Sequence, residues 1–384
     1  MPTRFFPRLD LARRMVAAIT TQAVGSASSS GLFLSAPRRT GKSTFVREDL
    51  RPALQATGAS VMYVDLWANR KADPGTVIVD AVRAELATHE GLVQRLARSA
   101  GMDKVSVGGV SFSLDRVGLG KEISLSAALA ALSDETGRMI VLLVDEAQHA
   151  ITTEGGYDAL FALKAARDEL NSSRHHGLRI VATGSNRDKL AMLRNSKDQA
   201  FFGAPLVEFP LLGLDYIEWF CRGVDLLAPL DPQRVVRLFE DAGHQPEILG
   251  AAADRLRLDF ALTARETPAA FERAVAEQIE AADAQTLRIV QALTPLQSAV
   301  LRVLAAQGTG YAPFDAATMA RYRGVLTTIA SGEDVRIDTS NVQQALAALQ
   351  DKSLIWREKR GVYALEEAGT ASVMRRAGML DGAA

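Results

Sequence analysis

The stretch Ala36–Ser43, APRRTGKS, sets a lysine and a hydroxyl directly after a glycine at the end of a short loop. That spacing suits a phosphate chain. A tight loop turns main-chain N–H groups inward, Gly41 lets the backbone come close, and the following helix adds its positive N-terminal end. Lys42 then reaches the outer phosphates as a point charge, and the Ser43 hydroxyl ligates Mg²⁺. Ala36 stands where the pattern G-x-x-x-x-G-K-[ST] has its first glycine, so the open point is whether that position needs a positive φ. The cradle expected around a nucleotide runs through Ala36, Pro37, Arg38, Arg39, Thr40, Gly41, Lys42, Ser43 and Thr44.

Two further segments place polar residues at the ends of apolar strands. Met139–Glu146, MIVLLVDE, ends in two acids. Strand ends point into the crevice where ligands bind in parallel α/β sheets. Asp145 is therefore expected to hold Mg²⁺, and Glu146 to take a proton from an attacking water. Arg179–Asn186, RIVATGSN, is a similar strand. If it lies between the other two, Ser185 or Asn186 touches the terminal phosphate or the water.

The elements that must position these residues follow from the apolar pattern. Residues 9–24 read as a helix, Leu32–Ser35 as a short strand, and 43–55 as a helix. Val61–Leu66 is a second strand, 74–98 a helix, and the two acid- and serine-tipped strands follow. Continuous apolar strands alternating with amphipathic helices imply a parallel sheet covered on both faces. Lys104–Arg116 alternates at period two around Gly108–Gly109 and is expected to be an inserted β-hairpin, about 104–117. From about 215 to 291 the strand signal vanishes and helices are expected, punctuated by Pro229, Pro232, Gly243 and Pro246. From about 293, Thr294–Pro295 signals a helix start, 340–350 a second helix, and Leu354–Arg357 with Val362–Leu365 a short hairpin. Helix, helix, hairpin is the winged-helix order. The expected domains are 1–212, an α/β core; 213–291, a helical lid; and 292–384, a winged helix.

These residues together resemble the AAA+ and STAND side of the P-loop NTPases, most closely the archaeal-type ATPases that also occur in bacteria. The likeness covers roughly 3–255. It rests on APRRTGKST, GGVSFS before a helix, VLLVDEAQH, VATGSN, Phe201–Leu212 (FFGAPLVEFPLL) and Gly243–Leu249 (GHQPEIL). It implies an α/β fold of the AAA+/ASCE class: a five-stranded parallel core, a helical lid, ATP with Mg²⁺, and slow or regulated hydrolysis. By matching position, Lys42 and Ser43 are the Walker A pair, Asp145 and Glu146 the Walker B pair, and Ser185–Asn186 the sensor. Phe5–Arg8, with Phe6 and Arg8, would lie beside the adenine. His244 and Pro246 would lie in the lid near the nucleotide. Relatives often carry an arginine just after the Phe-Gly-like segment; here Phe202–Pro205 has none, which leaves Arg187 and Arg194 as substitutes. Three functional readings follow: an ATPase, a nucleotide-gated signalling switch or scaffold with little turnover, and a DNA-binding initiator-like or transposition-targeting ATPase.

Composition narrows the field. Lys plus Arg is 44 against 45 for Asp plus Glu, a formal charge of −1, so any basic surface is local rather than general. A single cysteine, Cys221, excludes an internal disulfide and a Cys-built zinc site. His175–His176 has no evident third ligand partner. DEAQH suggests a helicase, but that class needs two such cores and only one phosphate loop is present. No apolar run approaches the ~18 residues of a membrane span, and the charged start does not fit a signal peptide; the expected compartment is the cytoplasm. The C-terminal helix 341–350 carries Gln343, Gln344 and Gln350 but no Lys or Arg, while the wing carries Arg357, Lys359 and Arg360. DNA binding and protein docking both remain open for that domain.

Overall fold

In the computed structural model, residues 5–21, 27–69, 71–89, 91–92, 95–96, 112–113, 123–172, 174–195, 199–330, 336–359, 361–367, 369–381 and 383 are described. The chain divides into two compact units, Met1–Leu212 and Gly213–Ala384.

The first unit is built on a five-stranded sheet. Its strands are β1 (Leu32–Ser35), β2 (Ser60–Asp65), β5 (Ile140–Asp145), β6 (Leu178–Gly184) and β7 (Leu206–Glu208), in the order β2-β5-β6-β1-β7. Every pairing is parallel. All residues of β5 and β6 are buried, as expected for strands covered on both faces. Alternation then sorts their side chains. Ile140, Leu142 and Val144 join Ile180 and Ala182 in one apolar layer, while Val141, Leu143 and Val181 join Leu34, Phe45 and Leu50 in the other. The first layer is covered by α4 (Pro74–Ala87), α5 (Leu125–Thr136) and α6 (Glu154–Ser172). The second is covered by α1 (Leu9–Thr20) and by the helical run of α2 (Lys42–Phe45), a π turn (Val46–Leu50) and α3 (Arg51–Ala56).

The ladder register fixes the C-terminal edge of the sheet. Asp65 lies opposite Asp145, Val144 opposite Ala182, and Ser35 opposite Gly184. The chain leaves β1 at Ser35 into the phosphate-loop sequence, so that loop lies beside the end of β6, with β5 next along.

Details depart from the sequence expectations. The first helix ends at Thr20 rather than 24, with Thr21 extended. The helix expected over 43–55 contains the π turn. Pro52 explains it: proline lacks the N–H that would bond Glu48 and its ring crowds that carbonyl, so the turn before it widens. Most of the expected hairpin at 104–117 lies outside the described residues. Of it, β3 (Phe112–Ser113) is described, and it pairs in parallel with β4 (Ile123–Ser124).

The second unit begins with α8 (Leu214–Gly223), α9 (Pro232–Asp241), α10 (Pro246–Arg257) and the long α11 (Thr267–Gln291). It continues with α12 (Pro295–Gln307), α13 (Ala316–Ile329), α14 (Thr339–Asp351), the antiparallel pair β8 (Ile355–Lys359) and β9 (Val362–Leu365), and α15 (Gly369–Arg376). Helix α12 starts at the expected signal: Thr294 and Gln297 form a capping box and Pro295 takes the first turn. Helix α13 was not anticipated; Asp315 caps it and Tyr322, Val325 and Leu326 bury it. Helices α12, α13 and α14 and the hairpin share one apolar core, from Val300 and Leu304 through Leu346 to Tyr363, which α15 closes with Met374. That is the winged-helix arrangement. Among the described residues no helix is long and apolar enough to cross a membrane.

One close approach in the first unit is testable. Asp73 caps α4, and Thr153 donates to its Oδ2 at 2.6 Å, tying the starts of α4 and α6 together. A Cβ at Gly75 would lie 2.2 Å from the Gly155 carbonyl oxygen. Alanine would gain some helix propensity, but backbone must move to admit it. Gly75→Ala is expected to destabilise the first unit by about 1–3 kcal/mol, read as a lower urea midpoint; an unchanged or raised midpoint would show that the helices separate freely.

Candidate functional site

Gly41 adopts φ 84° as the N-cap of α2, so Lys42 and Ser43 open the helix at the loop's end. The other left-handed residue of the loop is Arg39, at φ 64°. Ala36 is not among the residues with positive φ. It is buried at the end of β1, and its N–H donates to the Gly184 carbonyl at 3.2 Å. The position therefore has no need of glycine, which answers the question raised by its sequence. The Thr40 side chain is fully buried and its hydroxyl donates to the Pro37 carbonyl at 2.8 Å, closing the loop on itself.

Lys42 is 4% exposed and holds the centre of the site. Its Nζ donates to Asp145 Oδ1 at 3.1 Å, Glu146 Oε1 at 3.1 Å and Thr183 Oγ1 at 3.3 Å. The loop, the acids of β5 and the end of β6 thus meet at one ammonium. Asp145, 1% exposed, also takes hydrogen bonds from Ser43, from Thr183 and, at 3.1 Å to Oδ2, from the Tyr63 hydroxyl. Glu146 sits at φ 53°, a left-handed conformation that turns the chain off β5. Ser185 donates to its Oε2 at 2.7 Å, and Gln148 Nε2 donates to the same oxygen and, at 3.3 Å, to Ser185 Oγ.

Burial would raise both carboxyls, but it is outweighed. The Lys42 charge and the Ser43, Thr183 and Lys42 hydrogen bonds hold Asp145 below the usual carboxylate range. Lys42, Ser185 and Gln148 do the same for Glu146. Burial, and then the nearby Asp145 and Asp65, push the Tyr63 hydroxyl up, so it stays a donor.

The remaining expected residues separate by what they touch. Asn186 accepts from Lys189 N at 3.0 Å and caps α7 (Arg187–Ala191), while its neighbour Ser185 faces Glu146. Arg187 pairs with Glu208 at 2.9 Å, and Arg194 donates to the adjacent Asn195 at 3.3 Å. Arg38 Nε instead donates to Ser185 Oγ at 3.3 Å. Phe6 is half-buried, and the Arg8 guanidinium stacks 4.7 Å from the Phe209 ring and 5.9 Å from Phe45. His244 and Pro246 lie in the second unit, at the turn between α9 and α10. There Gly243 N–H donates to Glu240 and His244 N–H to Phe239, a Schellman closure, before Pro246 begins α10. Cys221 is half-buried with its thiol pushed up to about 11 by burial and then by Asp231, which makes it unreactive at neutral pH. His175 pairs with Asp134 at 2.6 Å.

Three residues of the cluster were not anticipated: Thr183, Gln148 and Tyr63. Thr183 and Gln148 lie inside the quoted segments VATGSN and VLLVDEAQH, where their polar type was the available signal. Tyr63 reaches Asp145 because it pairs with Leu143, two residues back on the same face, which only the register reveals.

The donor set suits Mg²⁺. One buried ammonium faces the buried Asp145 and the half-buried Glu146, leaving one negative charge in excess, and the oxygens of Ser43, Asp145 and Thr183 are hard donors. Among the described residues no cluster of His, Cys, Asp and Glu forms a self-sufficient metal cage. Mg²⁺ held by one carboxylate together with phosphate oxygens needs none.

No family model and no curated protein matches the chain. Solved structures do. The Walker-type ATPase PABY2304 of Pyrococcus abyssi matches with a TM-score of 0.53 at 17% identity, over 97% of each chain. The ORC2 protein of Aeropyrum pernix matches in its ADP form with a TM-score of 0.59 at 15% identity, over 100% of this chain and 95% of that one. The same protein in its ADPNP-ADP complexes gives 0.55 at 16%, with the same coverage. The fold is that of the AAA+ P-loop ATPases. The Lys42 cluster lies beside the loop after β1, at the C-terminal edge of the sheet.

Because both carboxyls are held low, the stability they contribute is complete above the unfolded-state carboxyl pKa of about 4 and is lost as pH falls through the lower folded values. In Lys42→Met the folded values rise toward or past the unfolded ones, so stability at neutral pH falls and the acid loss shrinks or reverses. Urea midpoints of the first unit between pH 3 and 7 measure this; superimposable acid limbs would remove Lys42 as the cause.

Proposed function

We propose that this protein binds ATP with Mg²⁺ and hydrolyses it. The observation that carries this reading is the single ammonium of Lys42 lying 3.1 Å from each of two acids at the C-terminal tip of β5, across β6 from the loop's own strand. In the proposed reaction Lys42 and the loop N–H groups hold the phosphates, and Ser43 and Asp145 hold the metal. Mg²⁺ supplies neutralisation of charge on the phosphate oxygens. Water attacks the γ-phosphorus, the bond to the bridging oxygen breaks, ADP leaves, and Glu146 takes the water's proton. Ser185 and Gln148 fix the Glu146 carboxylate. A carboxylate held low by Lys42 is a poor base; when the ammonium turns to phosphate oxygens, Glu146 becomes a better one. Phe6, Arg8 and Pro246 are proposed around the nucleotide on the strength of the sequence resemblance. That resemblance also supports the division at 291/292 and a STAND-like coupling, in which ATP and ADP states are passed through the helical part 213–291 to the winged helix.

Two substitutions test the reading. Lys42→Ala is expected to weaken nucleotide binding by roughly tenfold or more, through loss of a charge-assisted contact. Glu146→Gln is expected to keep binding and lower the steady-state phosphate-release rate by about 10²–10⁴-fold. Retained affinity in the first variant would undercut the phosphate-loop assignment. An unchanged rate in the second would eliminate the base and favour a switch with little turnover.

A second reading, DNA binding through the winged helix, is favoured by the exposed Gln343 and Gln344 on α14, side chains of the type that pair with adenine edges. The full chain is then expected to retard duplex DNA at low salt, with weaker binding in the Gln343→Ala, Gln344→Ala double variant. No retardation at low ionic strength would set this reading aside.

A further inference from the structure

We propose that Arg38 is the contact for the terminal phosphate of a bound nucleoside triphosphate, supplied by the phosphate loop itself rather than by a neighbouring chain. The inference deepens the nucleotide reading and rests on it. Arg38 follows Ala36 by two residues, so it leaves the loop where the chain comes off β1. Its Nε donates to Ser185 Oγ at 3.3 Å, at the end of β6. Its guanidinium carbon lies 5.0 Å from the centre of the Trp67 ring, just past the end of β2. One side chain therefore spans from β6 to β2, and β5, which ends in Asp145 and Glu146, lies between those strands.

The span places Arg38 one hydrogen bond from the proposed base. Ser185 accepts from Arg38 and from Gln148 while donating to Glu146 at 2.7 Å. Trp67 is itself fixed: its main-chain N–H donates to Asp65 Oδ1 at 2.9 Å, and its ring lies 4.1 Å from that of His149, three residues past Glu146. Arg38 is thus docked on a platform belonging to the site and is exposed on its outer side. A hydroxyl and an aromatic face are contacts a guanidinium can exchange without stranding a buried carboxylate. Fork-like bonds to phosphate oxygens are stronger than either. Arg187, by contrast, is engaged by Glu208 at 2.9 Å, and Arg194 by its neighbour Asn195.

A diphosphate lacks the group that Arg38 would contact, so the expected behaviour is discrimination between nucleotide states. Calorimetric Kd values for ADP and for a non-hydrolysable ATP analogue, each with Mg²⁺, are compared in the wild-type chain and in Arg38→Gln. The analogue is expected to bind roughly 10- to 100-fold more weakly to the variant, with ADP affinity nearly unchanged. Trp67 gives a second readout. Its emission, isolated by subtraction against Trp67→Phe, is expected to change on adding the analogue but not ADP, and the change is expected to vanish in Arg38→Gln. Parallel loss of both affinities would make Arg38 a general loop residue and overturn the inference, as would equal affinities in the two proteins or an equal Trp67 response to both nucleotides. A wild-type chain that binds neither nucleotide would instead defeat the nucleotide reading itself, and this inference with it.

Discussion

A buried ammonium shared between a buried and a half-buried carboxylate is the constraint that the first unit is built to satisfy. Such an arrangement is a poor way to gain stability. Taking charges out of water costs several kcal/mol per ion, and apolar replacements of similar volume are often neutral or better. The cost is tolerated only if every partner is held in place. Here Asp145 is bonded by Lys42, Ser43, Thr183 and Tyr63, and Glu146 by Lys42, Ser185 and Gln148. These groups come from β1's loop, β2, β5 and β6. Neighbouring order and parallel register bring their ends to one edge, so the sheet's topology and the electrostatics of the cluster are one requirement.

Backbone strain is concentrated at the same place. Among the described residues the non-glycine positions with positive φ are Arg39, Glu146, His244 and Ser353. His244 and Ser353 follow the ends of α9 and α14, where such a turn closes the last carbonyls. Arg39 and Glu146 end no helix. They flank Lys42, one in the loop and one just beyond β5, at a cost of about 1–2 kcal/mol each. Turning the chain at Glu146 directs its carboxylate to Lys42 and Ser185 instead of continuing the strand. Strain and buried charge therefore serve one geometry.

What the sequence reveals is what lies contiguously along it. APRRTGKS and VDE carry their chemistry within a few residues, and a run of apolar residues before each marks a covered strand. Tyr63 and Thr183 are different. Each looks like an ordinary residue of a strand, and each acquires meaning from the residue that register sets beside it. Asn186 and Ser185 are equivalent as letters, yet the start of α7 takes Asn186 as its cap and leaves Ser185 facing Glu146. The π turn was foreshadowed by Pro52, but proline in a helical stretch has several outcomes and packing chooses among them. Helix α13 was hidden by weak periodicity: its exposed positions include apolar and threonine residues, so little contrast marks its buried face.

The second unit shows why counting basic residues is a poor guide to its surface. Arg376 is committed to Asp283 through a bidentate pair, with contacts of 3.0, 2.7 and 2.6 Å. Arg234 pairs with Glu272, Arg255 with Glu277, and Arg257 with Asp254. Each pair is a local neutralisation, and exposed pairs of this kind add little stability. They do remove cations from the pool that could displace counterions from a nucleic-acid backbone. Arg357 stands exposed beside Tyr363, at 6.0 Å from its ring, while the outward face of α14 offers amides rather than charges. Arg323, Lys352 and Arg375 are exposed elsewhere in the unit. Recognition through the outward face of α14 would therefore rest on directed hydrogen bonds from Gln343 and Gln344.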